Sequence, residues 1–350
     1  MMLSLAMIAK NEEQYLDRCL KSVSTLVDEM IVVDTGSTDR TREIARDNGA
    51  VVYDFEWCDD FSAARNFSIE KTSGDWVVVL DADEYFAEDY ADVIREFISR
   101  GQQIGRFEFI ARFVKDGLTQ SSQYSSSRLF PRHIRYMGRI HEQLVSDLPR
   151  CDTGALVMHD GYYMTEKSER NIKLLLQEVK QHPGDPYLLF QLGKQYRGNN
   201  EYEAAGNYLL EAYQNLSGPT PYALEVILEL LEVLTHTKKY VTAFDLVEGH
   251  AELFDTSPDF CFATALFLLD YAIDTNDHSV IGDIEQCYLT CLEMGKHQAK
   301  EVVIGTSTFM AAYNLAVFYE TTGLQEKATE YYVLSSSYGF EPAKKKLEGL

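Results

Sequence analysis

The run Asp75-Trp76-Val77-Val78-Val79-Leu80-Asp81-Ala82-Asp83-Glu84 decides how the rest of the chain is read. Trp76 to Leu80 is unbroken apolar sequence between Gly74-Asp75 and a group of acids, the pattern of a buried central strand that ends in carboxylates. If the extended backbone continues past Leu80, Asp81 and Asp83 point the same way and approach one hard divalent cation. In an open α/β sheet ligands bind outside the carboxyl ends of the strands, so position and chemistry agree. A solvated acidic turn capping the next helix is the competing reading, and the flanking sequence decides between the two.

Upstream, Leu3-Ser4-Leu5-Ala6-Met7-Ile8 reads as a first strand and Ala9-Lys10-Asn11-Glu12-Glu13 as the turn after it. Asn11 is the expected N-cap of a helix marked by Leu16, Cys19, Leu20 and Val23. Met30-Ile31-Val32-Val33 is a second strand, which Asp34-Thr35-Gly36-Ser37-Thr38-Asp39 turns into a helix near Arg40. Val51-Val52-Tyr53 is a third, followed by Trp57-Cys58-Asp59-Asp60 and a helix carrying Ala63, Ala64 and Phe67. Strands alternating with helices predict a parallel sheet wound by right-handed crossovers. No Gly-x-Gly-x-x-Gly and no P-loop occurs, so neither dinucleotide nor P-loop phosphate binding is expected. Acids occupy the first helix N-terminus, where a phosphate would otherwise sit. The Asp81/Asp83 cation then neutralises phosphate, leaving Asn11, Glu12, Asp34 and Thr35 to hydrogen-bond a base and ribose.

Length and charge narrow the class. The 350 residues point to two domains. A net charge of -23 argues against nonspecific binding to nucleic acid or anionic lipid and favours a basic partner. No apolar run reaches the length of a membrane span, and the N-terminus lacks a basic region with a cleavage site, so a soluble cytoplasmic protein is expected. The six cysteines are scattered, without a Cys-x-x-Cys element, and read mostly as buried thiols.

Four motifs carry a resemblance: Ala9-Lys10-Asn11-Glu12-Glu13, Val33-Asp34-Thr35-Gly36-Ser37-Thr38-Asp39, Phe61-Ser62-Ala63-Ala64-Arg65-Asn66 and Asp81-Ala82-Asp83. In order and spacing they resemble the family 2 glycosyltransferases of the GT-A fold. That resemblance implies a divalent cation, Mn2+ or Mg2+, on the Asp-x-Asp motif, a UDP-sugar donor and inversion at the anomeric carbon. It also implies donor contacts along Ala9, Asn11, Glu12, Asp34, Thr35, Arg65, Asn66, Asp81, Ala82 and Arg128, with metal ligation by Asp81 and Asp83. Gly138-Arg139-Ile140-His141-Glu142 and His159-Asp160-Gly161-Tyr162 resemble the branch that includes sublancin-type peptide S-glycosyltransferases. On that footing His159 completes the metal shell, UDP-glucose or UDP-N-acetylglucosamine is the donor, and a peptide or protein is the acceptor. Two departures stand out. Asp34-Thr35 replaces the family's Asp-Asp, and His141-Glu142 replaces its Glu-Asp catalytic pair.

Residues 101–165 read as strand-rich: Arg106 to Phe113 alternates, and Ser127-Arg128-Leu129-Phe130-Pro131 follows a polar turn. Inverting transfer needs one base near the attacking atom. Glu142 is the first choice because it stays an acceptor beside the acidic metal site; His141 is the second. A surface acid and a structural histidine are the plain readings of the same two residues. Arg65 and Arg128 are candidates for the diphosphate or the sugar, against simple surface ion pairs. Asn66 is expected to support that site.

From about residue 166 every segment reads as helix. Phe190 to Tyr196 with Tyr202 to Ala212, and Ala312 to Tyr319 with Gln325 to Tyr332, have tetratricopeptide spacing. Leu224–Leu253 and Phe260–Met294 share the periodicity, giving about four units. The expected architecture is an α/β GT-A catalytic domain over 1–165 and an all-α tetratricopeptide-like domain over 166–350. Its groove would take a peptide, or its surface would form a homodimer. A lipid or polysaccharide acceptor, or a noncatalytic scaffold, is the alternative.

Overall fold

The computed structural model describes residues 1–115, 118–160, 165–218 and 220–349. The chain forms two compact units, Met1–Leu174 and Leu175–Leu350. The first holds strands β1 (Leu3–Ala9), β2 (Glu29–Asp34), β3 (Val51–Asp54), β4 (Trp76–Val79), β5 (Glu84–Phe86), β6 (Ile104–Lys115), β7 (Leu118–Pro131), β8 (Arg135–Met137), β9 (Gln143–Val145) and β10 (Arg150–His159). Its helices are α1 (Leu16–Val23), α2 (Thr41–Asp47), α3 (Phe61–Lys71) and α4 (Ala91–Ser99). Helix α5 (Thr165–Gln181) begins where strands were expected to stop, and the division between the units falls inside it.

Eight strands form one sheet in the order β3-β2-β1-β4-β7-β6-β10-β5. β1, β2, β3 and β4 are mutually parallel, as the strand-helix alternation requires, and β10 also runs parallel to β6. Registers Ala9↔Asp34 and Ala6↔Val79 bring the carboxyl ends of the three central strands to one edge. Alternation sends Leu3, Leu5 and Met7 into the core that holds Leu16, Cys19 and Ile94. Ala6, Val77 and Val79 enter the opposite core with Ile69, Tyr136 and Leu144. The loops at these carboxyl ends therefore project from a sheet packed on both faces.

Three local expectations change. Asn11 is not an N-cap: α1 starts at Leu16 after Tyr15, while Asn11 adopts φ 56°. Its carboxamide Oδ1 accepts from the Thr38 amide at 2.8 Å and its own amide donates to Ser37 Oγ at 3.0 Å. A left-handed asparagine that grips the neighbouring loop gains more there than at a helix end. Next, the polar run Gln120–Ser126, before the strand expected at Ser127, lies in β7, paired residue by residue with β6. The ladder from β6 supplies hydrogen bonds that serine propensity cannot forecast. Third, the backbone after Leu80 does not stay extended, with consequences described below.

In the second unit α6 (Pro186–Gly198), α7 (Tyr202–Asn215), α8 (Ala223–His236), α9 (Tyr240–Glu248), α10 (Pro258–Thr275), α11 (Ile281–Lys296), α12 (Phe309–Thr321), α13 (Gln325–Ser337) and α14 (Glu341–Glu348) follow one another. Asp185 caps α6 through the Tyr187 and Leu188 amides at 2.9 and 3.0 Å, with Pro186 at the first helical position. Gly193 lets α7 approach α6: a Cβ there would sit 2.6 Å from Leu209 Cγ. Polar contacts recur one repeat apart. Lys239 to Glu203 and Lys238 to Asp274 each span 36 residues, and Tyr319 to Glu285 spans 34. That period is the tetratricopeptide length of about 34, so each helix pair stacks on the next. Among the described residues no helix is long and apolar enough to cross a membrane. All six cysteines are free, with Cys19, Cys261, Cys287 and Cys291 buried.

Candidate active site

The acidic run closes on itself. The Glu84 amide donates to the Asp81 carbonyl at 3.0 Å, and the Asp81 amide donates to Glu84 Oε2 at 2.8 Å. This tight turn, replacing the extended backbone expected after Leu80, sends the two aspartates to different partners. Asp81 Oδ1 accepts from Arg65 Nη2 at 2.8 Å and its Oδ2 from Arg128 Nη2 at 3.2 Å. Asp83 instead faces His159, with 3.5 Å between Oδ2 and Nε2.

Sheet pairing explains the second contact. β5 lies antiparallel to β10 with Glu84 opposite His159, so the end of one strand meets the start of the other. The Asp160 amide donates to the Asp83 carbonyl at 3.1 Å and locks that meeting. Gly161 and Tyr162 of the same motif lie outside the described residues.

Around Asp81 the charges alternate. Arg65, on α3, holds Glu142 through Nε as well as Asp81; Arg128, on β7, holds Glu84 Oε1 at 2.9 Å as well as Asp81. The sequence Glu142, Arg65, Asp81, Arg128, Glu84 is therefore one connected chain. The Arg65 side chain is 9% exposed and that of Glu84 1%. Burial alone would raise the Asp81 carboxyl, but Arg65 and Arg128 outweigh it and hold it far below the usual carboxylate range. For Glu84 burial wins over Arg128, and its carboxyl is pushed up to about 7. Burial weakens the His159 proton, yet the hydrogen bond to Asp83 and the nearby carboxylates raise its pKa above the ordinary value.

The remaining expected residues divide by what they hold. Glu142 ends the hairpin of β8 and β9 in a loop where Gly138 and His141 have φ of 95° and 51°. Asn66 spends both ends of its amide on the Tyr136 backbone, at 2.9 Å each, so it fixes that hairpin against α3 rather than offering groups to a ligand. Asp34 is fully buried; its Oδ1 accepts from the Gly36 and Ser37 amides at 3.0 Å and from Arg42 Nε at 2.8 Å. Its Oδ2 is buried without a partner. Thr35 donates to the Ala9 carbonyl through its amide at 3.0 Å, and the Glu12 amide donates to Thr41 Oγ1 at 2.8 Å. Ala9, Asn11, Glu12, Asp34 and Thr35 thus belong to two interlocked loops at the strand ends. Ala82 is buried inside the acidic turn.

Sequence reasoning missed Glu84 as a site member, although it stands in the run first quoted. It also missed Tyr124, whose hydroxyl lies 3.1 Å from His159 Nδ1 and whose ring stacks on Phe109. No local signal marks a tyrosine in a serine-rich strand; only strand pairing brings it there.

A divalent cation fits this donor set. Asp83 and His159 Nε2 face each other, and Tyr124 occupies the other ring nitrogen, the usual orienting contact behind a metal-binding imidazole. Among the described residues no group of three His, Cys, Asp or Glu is arranged to hold a metal. A cation there needs further oxygens from a ligand, as Mg2+ commonly takes from phosphates. Asp81, with one arginine on each oxygen, anchors the turn in this geometry rather than facing His159.

Residues 4–159, most of the α/β unit, match the model of glycosyl transferase family 2. A TPR repeat-containing protein of Synechococcus elongatus is 35% identical over 253 residues, 65% of this chain and 61% of the relative. The SPbeta prophage-derived glycosyltransferase SunS of Bacillus subtilis is 26% identical over 249 residues, 67% of this chain and 59% of the relative. The chain thus spans about three-fifths of the length of these two curated relatives. Among solved structures, glucosyl-3-phosphoglycerate synthase from Mycobacterium tuberculosis with Mn2+ and uridine-diphosphate-glucose is 29% identical. That match covers 32% of this chain and 44% of the other at a TM-score of 0.27, too partial to carry weight.

Proposed function

We propose that the chain transfers a sugar, with inversion, from a UDP-sugar to a cysteine, serine or threonine of a peptide or protein. The observation that carries this reading is the buried Glu142-Arg65-Asp81-Arg128-Glu84 chain beside the Asp83 and His159 pair, at the carboxyl ends of the central strands. Asp83 and His159 would hold the cation, with Tyr124 fixing the imidazole. When bound, that cation neutralises the diphosphate leaving group. The interlocked loops of Asn11 and Asp34 border the strand ends that would receive the nucleoside. Arg65 and Arg128 supply fixed positive charge near the transferring sugar, where preorganised groups act most strongly.

Glu142 is the base that deprotonates or orients the acceptor. Arg65 fixes its position through Oε1. His141, one residue earlier in a left-handed backbone conformation, is the second choice. The helical pairs after residue 166, and the similarity to a TPR repeat-containing protein, support a peptide acceptor held by the second unit. With 25 acidic and 11 basic residues over Leu175–Leu350, that unit suits a basic peptide. Use of the same surface for a homodimer is separable by light scattering.

A thermal-shift panel of nucleotide sugars, with and without manganese, tests the donor, since a ligand that binds only the folded form raises its stability. UDP-glucose and UDP-N-acetylglucosamine are the expected hits. No shift with any UDP-sugar would leave the scaffold reading. Donor hydrolysis stimulated by lipid or polysaccharide, and not by peptides, would replace the acceptor class.

A further inference from the structure

The α/β unit contains a cleft of about 510 Å³ lined by none of the residues assigned to the reaction above. It opens past the ends of β6 and β10, beside the first turn of α1, with Tyr15 and Phe113 as walls and Arg18, Arg112 and Asp160 as its charged groups. The volume is in the range of small-molecule sites, about 300–1,000 Å³. Arg18 Nη1 bonds Asp160 Oδ2 at 2.8 Å, and its guanidinium rests on the Tyr85 ring at 3.8 Å, which fixes it from behind. Arg112 is half exposed, and the carboxylate oxygen nearest it, Asp160 Oδ1, is 4.0 Å away, beyond hydrogen bonding. That oxygen is buried and accepts no hydrogen bond.

Two guanidinium groups thus share one carboxylate, leaving an excess positive charge in a chain whose net charge is -23. A carboxylate short of a donor is unfavourable, so a ligand that brings a hydroxyl to it gains from the contact. We infer that this cleft binds a hydroxylated phosphate ester. Its phosphoryl oxygens take the free fork of Arg112 and the outer edge of Arg18, a geometry guanidinium groups favour. Its hydroxyl donates to the Asp160 carboxylate, which lines the cleft. The cleft adjoins the Asp83 and His159 pair, because the Asp160 amide bonds the Asp83 carbonyl at 3.1 Å. Both the diphosphate of a nucleotide sugar and a phosphorylated acceptor meet that description. The inference rests on the transferase reading for its role, though not for the binding itself.

The test is calorimetry on the full chain without metal, using glycerol 3-phosphate, glycerol and UDP as probes. Wild type should bind glycerol 3-phosphate and not glycerol. Arg112→Ala, which removes no hydrogen bond of the fold, should weaken that binding at least tenfold with an unchanged melting temperature. A parallel loss of UDP affinity assigns the cleft to the donor; unchanged UDP affinity assigns it to a phosphorylated acceptor. No binding of glycerol 3-phosphate to wild type, or equal binding to both proteins, overturns the inference. Failure of every UDP-sugar would remove the transferase reading and leave the glycerol 3-phosphate arm intact.

Discussion

Around its acidic turn the α/β unit buries a chain of charged side chains, whereas the Lys238 and Asp274 pair of the helical unit lies at the surface. Arg65 and Glu142 are 9% and 10% exposed, against 63% and 35% for Lys238 and Asp274. Buried pairs stabilise little, since desolvation offsets the attraction, and apolar residues of similar size would serve a fold as well. Exposed pairs are worth about 0–1 kcal/mol. The helical unit instead rests on an apolar cluster that includes Leu209, Phe260 and Phe267.

The sharpest way to break that comparison is Asp83→Ala. Asp83 faces His159 at the partly open end of the site, so the fold should survive while transfer falls to background and metal-dependent UDP binding disappears. Turnover and manganese titration measure both, and full turnover would remove Asp83 from the metal site. Glu142→Gln comes next: a base acts in the transition state, so turnover should fall by about two to four orders of magnitude with donor affinity kept. Alkaline pH should rescue this variant with a cysteine peptide and not with its serine analogue, because a thiol ionises near ~8.5. Equal rates for wild type and variant would move the base to His141.

Arg65→Met probes burial directly. It strands Glu142 and Asp81, and denaturant titration should record a loss of about 3–5 kcal/mol, the cost of breaking a buried pair. Lys238→Ala, in the helical unit, should change stability by no more than about 1 kcal/mol. Similar losses for the two variants would erase the distinction between the units.

The acidic turn also predicts a pH effect, measured on chelated protein. The folded Glu84 carboxyl titrates at about 7, above its ordinary value of 4.5. Its contribution to stability is therefore complete below pH 4.5 and lost as pH rises through 7. Glu84→Gln should flatten the stability profile across that window; a profile identical to wild type would show that Glu84 does not titrate there.

Much of this was legible before any coordinates. Trp76 to Leu80, Met30 to Val33 and the aromatic helix pairs announce themselves because local pattern and tertiary burial agree there. The four motifs come together at the strand ends, where Asn11 grips the Thr38 amide and Arg65 bonds Asp81. Partnership was not legible. Asp81 and Asp83 share a motif yet diverge, because a turn closed by Glu84 outcompetes extended backbone. Asn66 was read toward a ligand and instead clamps Tyr136, a contact set by packing 70 residues away. Tyr124 enters through a ladder between long strands, which no single-strand pattern encodes.

The antiparallel register of β5 against β10 has a consequence for how such domains diversify. Residues Glu84 and His159 meet through hydrogen bonds between short strand ends, and the long chain between them does not set their spacing. The hairpin of β8 and β9 can lengthen, shorten or change composition while the carboxylate and imidazole stay paired. A one-residue slip of the register is different, since it would turn His159 to the other face of the sheet. Lineages can therefore vary the part of that hairpin away from Glu142 and Tyr136, whereas insertions inside β10 near His159 should be purged.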